Sequence, residues 1–104
     1  MSHQPTLVPT GAEVLIRCLE EHGVEHIFGL SGGAAIPIFD ALVDSSIELI
    51  LTRHEQGATH MADGYARATG KASVLLSHLS PGLTNAATGV ANAALDCIPM
   101  VVIA

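Results

Sequence analysis

Positively charged residues are scarce in this 104-residue sequence, which has four lysines and arginines in total against ten aspartates and glutamates. The resulting formal net charge of -6 leaves no basic surface for holding a polyanion, so binding to nucleic acid or to an anionic membrane is not expected. Tryptophan is absent and aromatic residues make up 3% of the chain. The core is therefore expected to consist of Val, Ile, Leu and Ala side chains.

Cysteines and long apolar runs are also scarce. Cys18 and Cys97 lie far apart and form no C-x-x-C pair, so both are predicted to be buried structural thiols rather than a redox or metal site. No segment approaches the roughly 18 consecutive apolar residues of a membrane span. The first ten residues lack the basic cluster and apolar stretch of a signal peptide. These features predict a soluble protein of the reducing cytoplasm.

Apolar runs alternate with segments of helical periodicity along the chain. The runs are predicted to be strands at residues 25–30, 47–52, 72–77 and 99–104, and the segments between them are predicted to be helices. Because the strands are continuous apolar runs, the pattern indicates an α/β fold with an open parallel sheet and helices on both faces. Residues 1–9 are predicted to be a tail and residues 10–104 part of one domain. No helix follows the last strand, so the sheet is expected to continue and the fold to be incomplete at the C-terminus.

Ligand sites in such sheets lie at the carboxyl ends of the strands, where loops lead into helices. Three loops of this kind are predicted, at residues 31–33, 53–55 and 78–82, and all should emerge at one edge. Several sharper motifs fail in these loops. Ser31 occupies the second glycine position of G-x-G-x-x-G, and Ala58 replaces the second histidine of H-E-x-x-H. No metal site is predicted within the chain.

Glu55 stands at the amino-terminal end of a helical stripe that is predicted to be buried. The stripe has the i, i+3, i+4, i+7, i+8 spacing and consists of Ala58, Met61, Ala62, Tyr65 and Ala66. Glu55 precedes Ala58 by three residues, so its carboxylate is expected on the same face. Two interpretations are open. Glu55 is either a first-turn residue stabilised by the helix dipole and paired with Arg53, or a proton donor or acceptor that faces a cavity.

The helix that Pro81 and Gly82 open contains no charged residue from Thr84 to Leu95. This helix is predicted to be buried on most sides. Uncharged polar residues at helical spacing, Asn85, Thr88 and Asn92, need hydrogen-bond partners if they are buried. Those partners are expected either in nearby loops or in another subunit.

These segments together resemble the amino-terminal, pyrimidine-binding domain of thiamine-diphosphate-dependent enzymes, in particular the acetolactate synthase branch, from Thr10 to Ala104. The segment RHEQGATHMADGYARATGK is similar to the family's R-H-E-x-x-A-x-x-M-A-x-G-Y-A-R pattern. GVEHIFGLSGG resembles G-V-x-x-V-F-G-x-P-G-G, with Ser31 where proline is common. SPGLTN and the helix and strand after it resemble G-P-G-x-T-N followed by a D-x-x-P strand. The resemblance implies a thiamine-diphosphate-binding fold.

The resemblance also implies a role for Glu55. In the family the matching glutamate hydrogen-bonds N1′ of the cofactor's aminopyrimidine and favours the imino tautomer, whose nitrogen takes the proton from C2 of the thiazolium. Pro81 and Gly82 match the loop beside the aminopyrimidine, and Asn85 matches a residue that braces it. These assignments make Glu55 the catalytic residue and place all four residues at the cofactor.

Four more residues are implied to face the substrate. Ser31, Gly32 and Gly33 match positions beside the reacting carbons. His78 begins a His-Leu-Ser segment where this branch commonly has Thr-Ser-Gly, and a histidine at the mouth of the pocket is expected to contact substrate. Because this segment departs from the pattern, the resemblance leaves the choice of substrate open.

The implied activity makes or breaks a C–C bond next to the carbonyl of a 2-keto acid, with thiamine diphosphate as electron sink, as in acetolactate synthase. Another thiamine-diphosphate lyase or decarboxylase, or a non-catalytic binding or interaction module of the same fold, is the alternative. In the family, Mg²⁺ and the diphosphate are held by a separate domain with a G-D-G…N motif, which this sequence lacks. The family's active site lies between two subunits, so a homo-oligomer is expected and this segment alone should be inactive.

Overall fold

The computed structural model describes residues 8–104, so most of the predicted tail lies outside the described residues. The strands are β1 (His26–Gly29), β2 (Glu48–Leu51), β3 (Ser73–Leu76) and β4 (Met100–Ile103). The α-helices are α1 (Gly11–Glu21), α2 (Ile36–Val43), α3 (Glu55–Thr69) and α4 (Leu79–Leu95), and a short 3-10 helix, Gly33–Ala35, precedes α2. The strands pair in parallel in the order β2-β1-β3-β4. This confirms the predicted open parallel sheet.

Each face of the sheet carries its own apolar core. The core beneath α1 and α2 contains Ile16, Ile27, Leu42, Ile47, Val74 and Leu76. The core beneath α3 and α4 contains Phe28, Ala58, Ala62, Leu75 and Ala86. Neighbouring residues of β3 alternate between the two cores, as side chains of a strand must. Helices therefore cover both faces, which explains why the strands are apolar throughout.

Local side-chain chemistry determines where the helices begin and end. The Thr10 hydroxyl accepts a hydrogen bond from the backbone N–H of Glu13 at 3.2 Å and caps α1. The His54 side chain does the same for α3, accepting from the Gln56 N–H at 3.0 Å. Gly23 and Gly70, with φ of 77° and 73°, follow the ends of α1 and α3 in the left-handed conformation that favours glycine. Two side-chain caps and two glycine stops therefore set the ends of α1 and α3.

The prediction that both cysteines are buried is wrong for the described chain, because Cys18 and Cys97 are exposed. In α1, Glu13 and Ile16 face the core, which places Cys18 on the opposite side of the helix. Cys97 lies in the turn between α4 and β4 and has a φ of 57°. The apolar neighbours of a cysteine in the sequence did not indicate which way its side chain points.

The prediction that α4 is buried on most sides is also wrong within residues 8–104. Only a stripe of small residues is buried, namely Gly82, Ala86, Gly89 and Ala93. This stripe lets α4 lie very close to α3, and the remaining surface of α4 is exposed and uncharged. The helix begins at Leu79, two residues before the predicted start. None of the described helices is both long enough and apolar enough to cross a bilayer.

Within residues 8–104 the amides of α4 have hydrogen-bond partners on α3. Asn85 donates to Glu55, and Asn92 donates to Oδ2 of the buried Asp63 at 3.2 Å. The same Asp63 oxygen accepts from Nε of Arg67 at 3.0 Å, and Arg67 also donates to Asp96 at 2.6 Å. The hydrogen bonds to Asp96 and then to Asp63 raise the pKa of Arg67 above its already high ordinary value.

Replacing Arg67 by methionine should lower the melting temperature of the complete protein, because the buried Asp63 carboxylate would keep only the Asn92 amide as a partner among residues 8–104. Lys71→Met is the matched control. Lys71 approaches Glu25 at 3.9 Å, and both side chains are more than half exposed, so losing this pair should have little effect. Differential scanning calorimetry compares the two variants. Equal melting temperatures would show that the Asp63–Arg67 pair adds no more than a surface ion pair.

Candidate functional site

Three loops leave the sheet at the carboxyl ends of β1, β2 and β3, as the sequence predicts. The first contains Ser31–Gly33, and the second ends at Glu55, the first residue of α3. The third passes through His78 into α4. Because the strands are parallel, these loops share one edge of the sheet.

The Glu55 carboxylate is half-buried at this edge. Its Oε1 accepts a hydrogen bond from Nδ2 of Asn85 at 3.4 Å, across the contact between α3 and α4. Within residues 8–104 the carboxylate forms no ion pair, so the expected pairing with Arg53 is absent. Its place in the first turn of α3 still allows stabilisation by the helix dipole. The only partner of this acid in the described chain is a neutral amide.

Gly82 lets the start of α4 lie close against that carboxylate. A Cβ atom at this position would lie 3.1 Å from Oε2 of Glu55 and 3.4 Å from Cβ of Ser77. Pro81, next to it, is exposed in the first turn of α4, where its missing N–H is tolerated. The sequence-derived group Glu55, Pro81, Gly82 and Asn85 therefore lies together, with Glu55 and Asn85 in direct contact.

Ser77 is a polar residue of this edge that sequence reasoning missed. It follows β3, is 2% exposed, and its Oγ has no hydrogen-bond partner among the described residues. Leaving a buried hydroxyl unpaired is unfavourable, so such a group often marks a site where a ligand or water binds. The available signal was a hydroxyl at the end of a run whose other polar residue is Ser73.

His78 and the Ser31–Gly33 loop form a second group at the same edge. The imidazole packs against Gly32, and its Nε2 accepts a hydrogen bond from the backbone N–H of Ala34 at 3.0 Å. Ser77 and His78 both line a small cavity of about 120 Å³. The structure thus joins His78 to the loop that the sequence places beside it, while a contact of any of these residues with substrate stays a prediction.

Chemically, this edge offers a carboxylate without an ion-pair partner, an amide, a hydroxyl without a hydrogen-bond partner and an imidazole, all among the described residues. Within residues 8–104 there is no group of three His, Cys, Asp or Glu side chains suited to a metal ion. A larger cavity of about 580 Å³ lies near the amino-terminal ends of β1 and β3, and it includes none of these residues. The size of a cavity alone therefore does not indicate the site. The polar side chains that meet at the carboxyl ends of the strands are the better indication.

Comparison with known proteins finds a matching family model and similar sequences. The family model described as "Thiamine pyrophosphate enzyme, N-terminal TPP binding domain" matches residues 9–104. The acetolactate synthase large subunit of Buchnera aphidicola (subsp. Schizaphis graminum) is 59% identical over 95 residues, which is 90% of this chain and 17% of that protein.

Relatives from other organisms give a similar result. The probable acetolactate synthase large subunit of Methanocaldococcus jannaschii is 54% identical over 91 residues, covering 88% of this chain and 15% of that protein. The acetolactate synthase isozyme 3 large subunit of Escherichia coli K12 is 52% identical over 95 residues, covering 90% of this chain and 17% of that protein. This chain therefore spans only 15 to 17% of the length of these relatives.

Proposed function

Because this chain belongs to the family of thiamine pyrophosphate enzyme N-terminal TPP-binding domains, we propose that it is part of an acetolactate synthase-like enzyme. The proposed reaction makes or breaks a C–C bond next to the carbonyl of a 2-keto acid. The observation that carries the proposal is the Glu55 carboxylate, whose Oε1 accepts from a neutral amide and whose Oε2 has no hydrogen-bond partner among the described residues. Acetolactate synthases among the relatives favour this activity over another lyase or decarboxylase.

The residues around Glu55 fit the aminopyrimidine of thiamine diphosphate. Oε2 of Glu55 has no hydrogen-bond partner within residues 8–104, so it can accept one from a ligand. A protonated ring nitrogen of the aminopyrimidine is a suitable donor to this carboxylate oxygen. We assign Pro81, Gly82 and Asn85 as its further contacts. The diphosphate and Mg²⁺ would be held by residues outside this chain.

The bound cofactor supplies the electron sink for the reaction. Glu55 holds and moves a proton at its free oxygen, Oε2. Since its partner Asn85 is neutral, the carboxylate takes up or releases that proton without breaking an ion pair. The Asn85 amide holds Oε1 and thereby orients the second oxygen. Ser31, Gly32 and Gly33 remain the proposed substrate-facing segment.

We also propose a cytoplasmic homo-oligomer with the active site between subunits. The exposed face of α4 supports the assembly, because it is uncharged and includes large apolar side chains such as Leu83 and Leu95. A face of this kind is suited to burial against another protein surface. The remainder of the polypeptide and a second subunit are the proposed partners. No nucleic acid or membrane partner is proposed, in keeping with the net charge of -6.

Incubating the complete enzyme with pyruvate, thiamine diphosphate and Mg²⁺ tests the proposal. Acetolactate is the expected product, detected by mass spectrometry, and omitting the cofactor should abolish its formation. Acetaldehyde without acetolactate would instead indicate a decarboxylase. If calorimetry detects no thiamine diphosphate binding and pyruvate is not consumed, the protein is a non-catalytic module and the proposal is wrong.

A further inference from the structure

His78 links two loops that are far apart in the sequence. Its Nε2 accepts a hydrogen bond from the backbone N–H of Ala34, a residue 44 positions earlier in the chain, at 3.0 Å. The imidazole also lies directly against Gly32, since a Cβ atom there would come within 2.2 Å of His78 Cγ. One hydrogen bond and one close packing contact therefore join the loop after β3 to the loop after β1.

The hydrogen bond from Ala34 determines which nitrogen of the imidazole carries the proton. A ring nitrogen that accepts a hydrogen bond carries no proton, so the remaining proton of His78 is on Nδ1. Ala34 is the second residue of the short 3-10 helix, Gly33–Ala35, and its backbone N–H lies at the helix start, where no acceptor within the helix is available. His78 supplies that acceptor. A side chain on Gly32 would push the imidazole away from Ala34, so the two contacts depend on each other.

We propose that His78 is a positioning residue, which fixes the Ser31–Gly33 loop in one place rather than contacting substrate itself. The loop segment it holds is the segment that the proposed function places beside the reacting carbons, and the inference rests on that function. Nε2 is already engaged by Ala34, so this nitrogen is not free to bind a substrate. A substitution at residue 78 therefore changes substrate binding by changing the position of the Ser31–Gly33 loop.

Two substitutions separate the hydrogen bond from the shape of the ring. His78→Phe keeps a flat ring against Gly32 but removes the acceptor, whereas His78→Gln keeps an acceptor that can reach Ala34. In the complete enzyme, His78→Phe should speed hydrogen–deuterium exchange in the peptide containing Ala34 by about tenfold, as expected for one lost hydrogen bond. The KM for the 2-keto acid should rise by about tenfold. Thiamine diphosphate binding and proton exchange at the cofactor's C2 should stay at wild-type values.

His78→Gln should restore both the slow exchange at Ala34 and the low KM. A raised KM in His78→Phe with unchanged exchange at Ala34 would mean that His78 contacts substrate directly, and the proposal would be overturned. It would be overturned equally if Gln behaved like Phe, or if neither variant changed either quantity. Exchange in the β3 peptide shows whether each variant is folded. If the wild-type protein fails to bind thiamine diphosphate, the proposed function fails, while exchange at Ala34 still decides whether His78 holds the loop.

Discussion

Replacing Glu55 by glutamine is expected to slow proton exchange at C2 of bound thiamine diphosphate by at least about a hundredfold in the complete enzyme. Glutamine has nearly the same size, and its carbonyl oxygen still accepts from Asn85, but an amide cannot take up and release a proton. General acid–base groups typically contribute on the order of 10²- to 10⁴-fold to a rate. Deuterium incorporation at C2, measured by NMR after acid quench at saturating cofactor, reports this step whatever the substrate is.

Two companion variants sharpen the Glu55 experiment. Glu55→Asp keeps the acid but withdraws it by one methylene, so an intermediate rate is expected. Glu21→Gln makes the same chemical change at an exposed position at the end of α1, and it should leave exchange unchanged. If Glu55→Gln exchanges as fast as wild type, Glu55 serves only as a first-turn residue of α3. The catalytic role assigned to it would then be wrong.

Features that depend on neighbours in sequence were predictable. The cap at Thr10 and the glycine stop after α3 are local interactions, so the residues themselves specify them. Continuous apolar strands likewise indicated a sheet covered on both faces. The stripe that includes Ala58 correctly placed Glu55 on the side of α3 that faces other protein atoms. Met61, assigned to the same stripe, is 46% exposed, because α3 packs through its alanines against a close neighbour.

Features that depend on how helices and loops distant in sequence pack together were not predictable. Periodicity identifies the residues that share a face of α4, but it does not indicate how near α3 lies. The burial of the whole helix was therefore overestimated, although its glycine and alanine stripe is visible in the sequence. The contact of His78 with Ala34 joins residues 44 positions apart, and no local sequence pattern predicts it. The resemblance to a family supplied the role of Glu55, which composition and spacing alone left open between two interpretations.

The closeness of α3 and α4 leads to the second large expected effect, which Gly89→Ala should reveal. A Cβ atom on Gly89 would lie 2.4 Å from Cγ2 of Thr59 and 2.5 Å from its Cβ. Thr59 is fully buried and its hydroxyl donates to the backbone carbonyl of Glu55 at 2.7 Å, so turning the side chain away would break that bond. The helices must therefore separate. Overpacking of this kind typically costs about 1–3 kcal/mol.

Gly64→Ala is the matched control for this substitution, because it makes the same change within α3. A Cβ atom on Gly64 would meet no atom within 4 Å, so only the gain in helix propensity remains. That gain stabilises the protein by roughly 0.5–1 kcal/mol. Calorimetry of the complete protein should thus show Gly64→Ala melting at or above the wild-type temperature and Gly89→Ala below it.

The Gly89 substitution should also affect the candidate site, because the Glu55–Asn85 hydrogen bond joins the same two helices, α3 and α4. Their carboxylate–amide distance is already 3.4 Å, near the limit of a hydrogen bond, so a small separation would release the carboxylate. Gly89→Ala is therefore expected to slow C2 exchange even at temperatures where the protein is fully folded, while Gly64→Ala leaves the rate unchanged. A folded Gly89→Ala protein with a wild-type exchange rate would show that Asn85 does not orient Glu55. The orientation of the acid would then have to come from the cofactor itself.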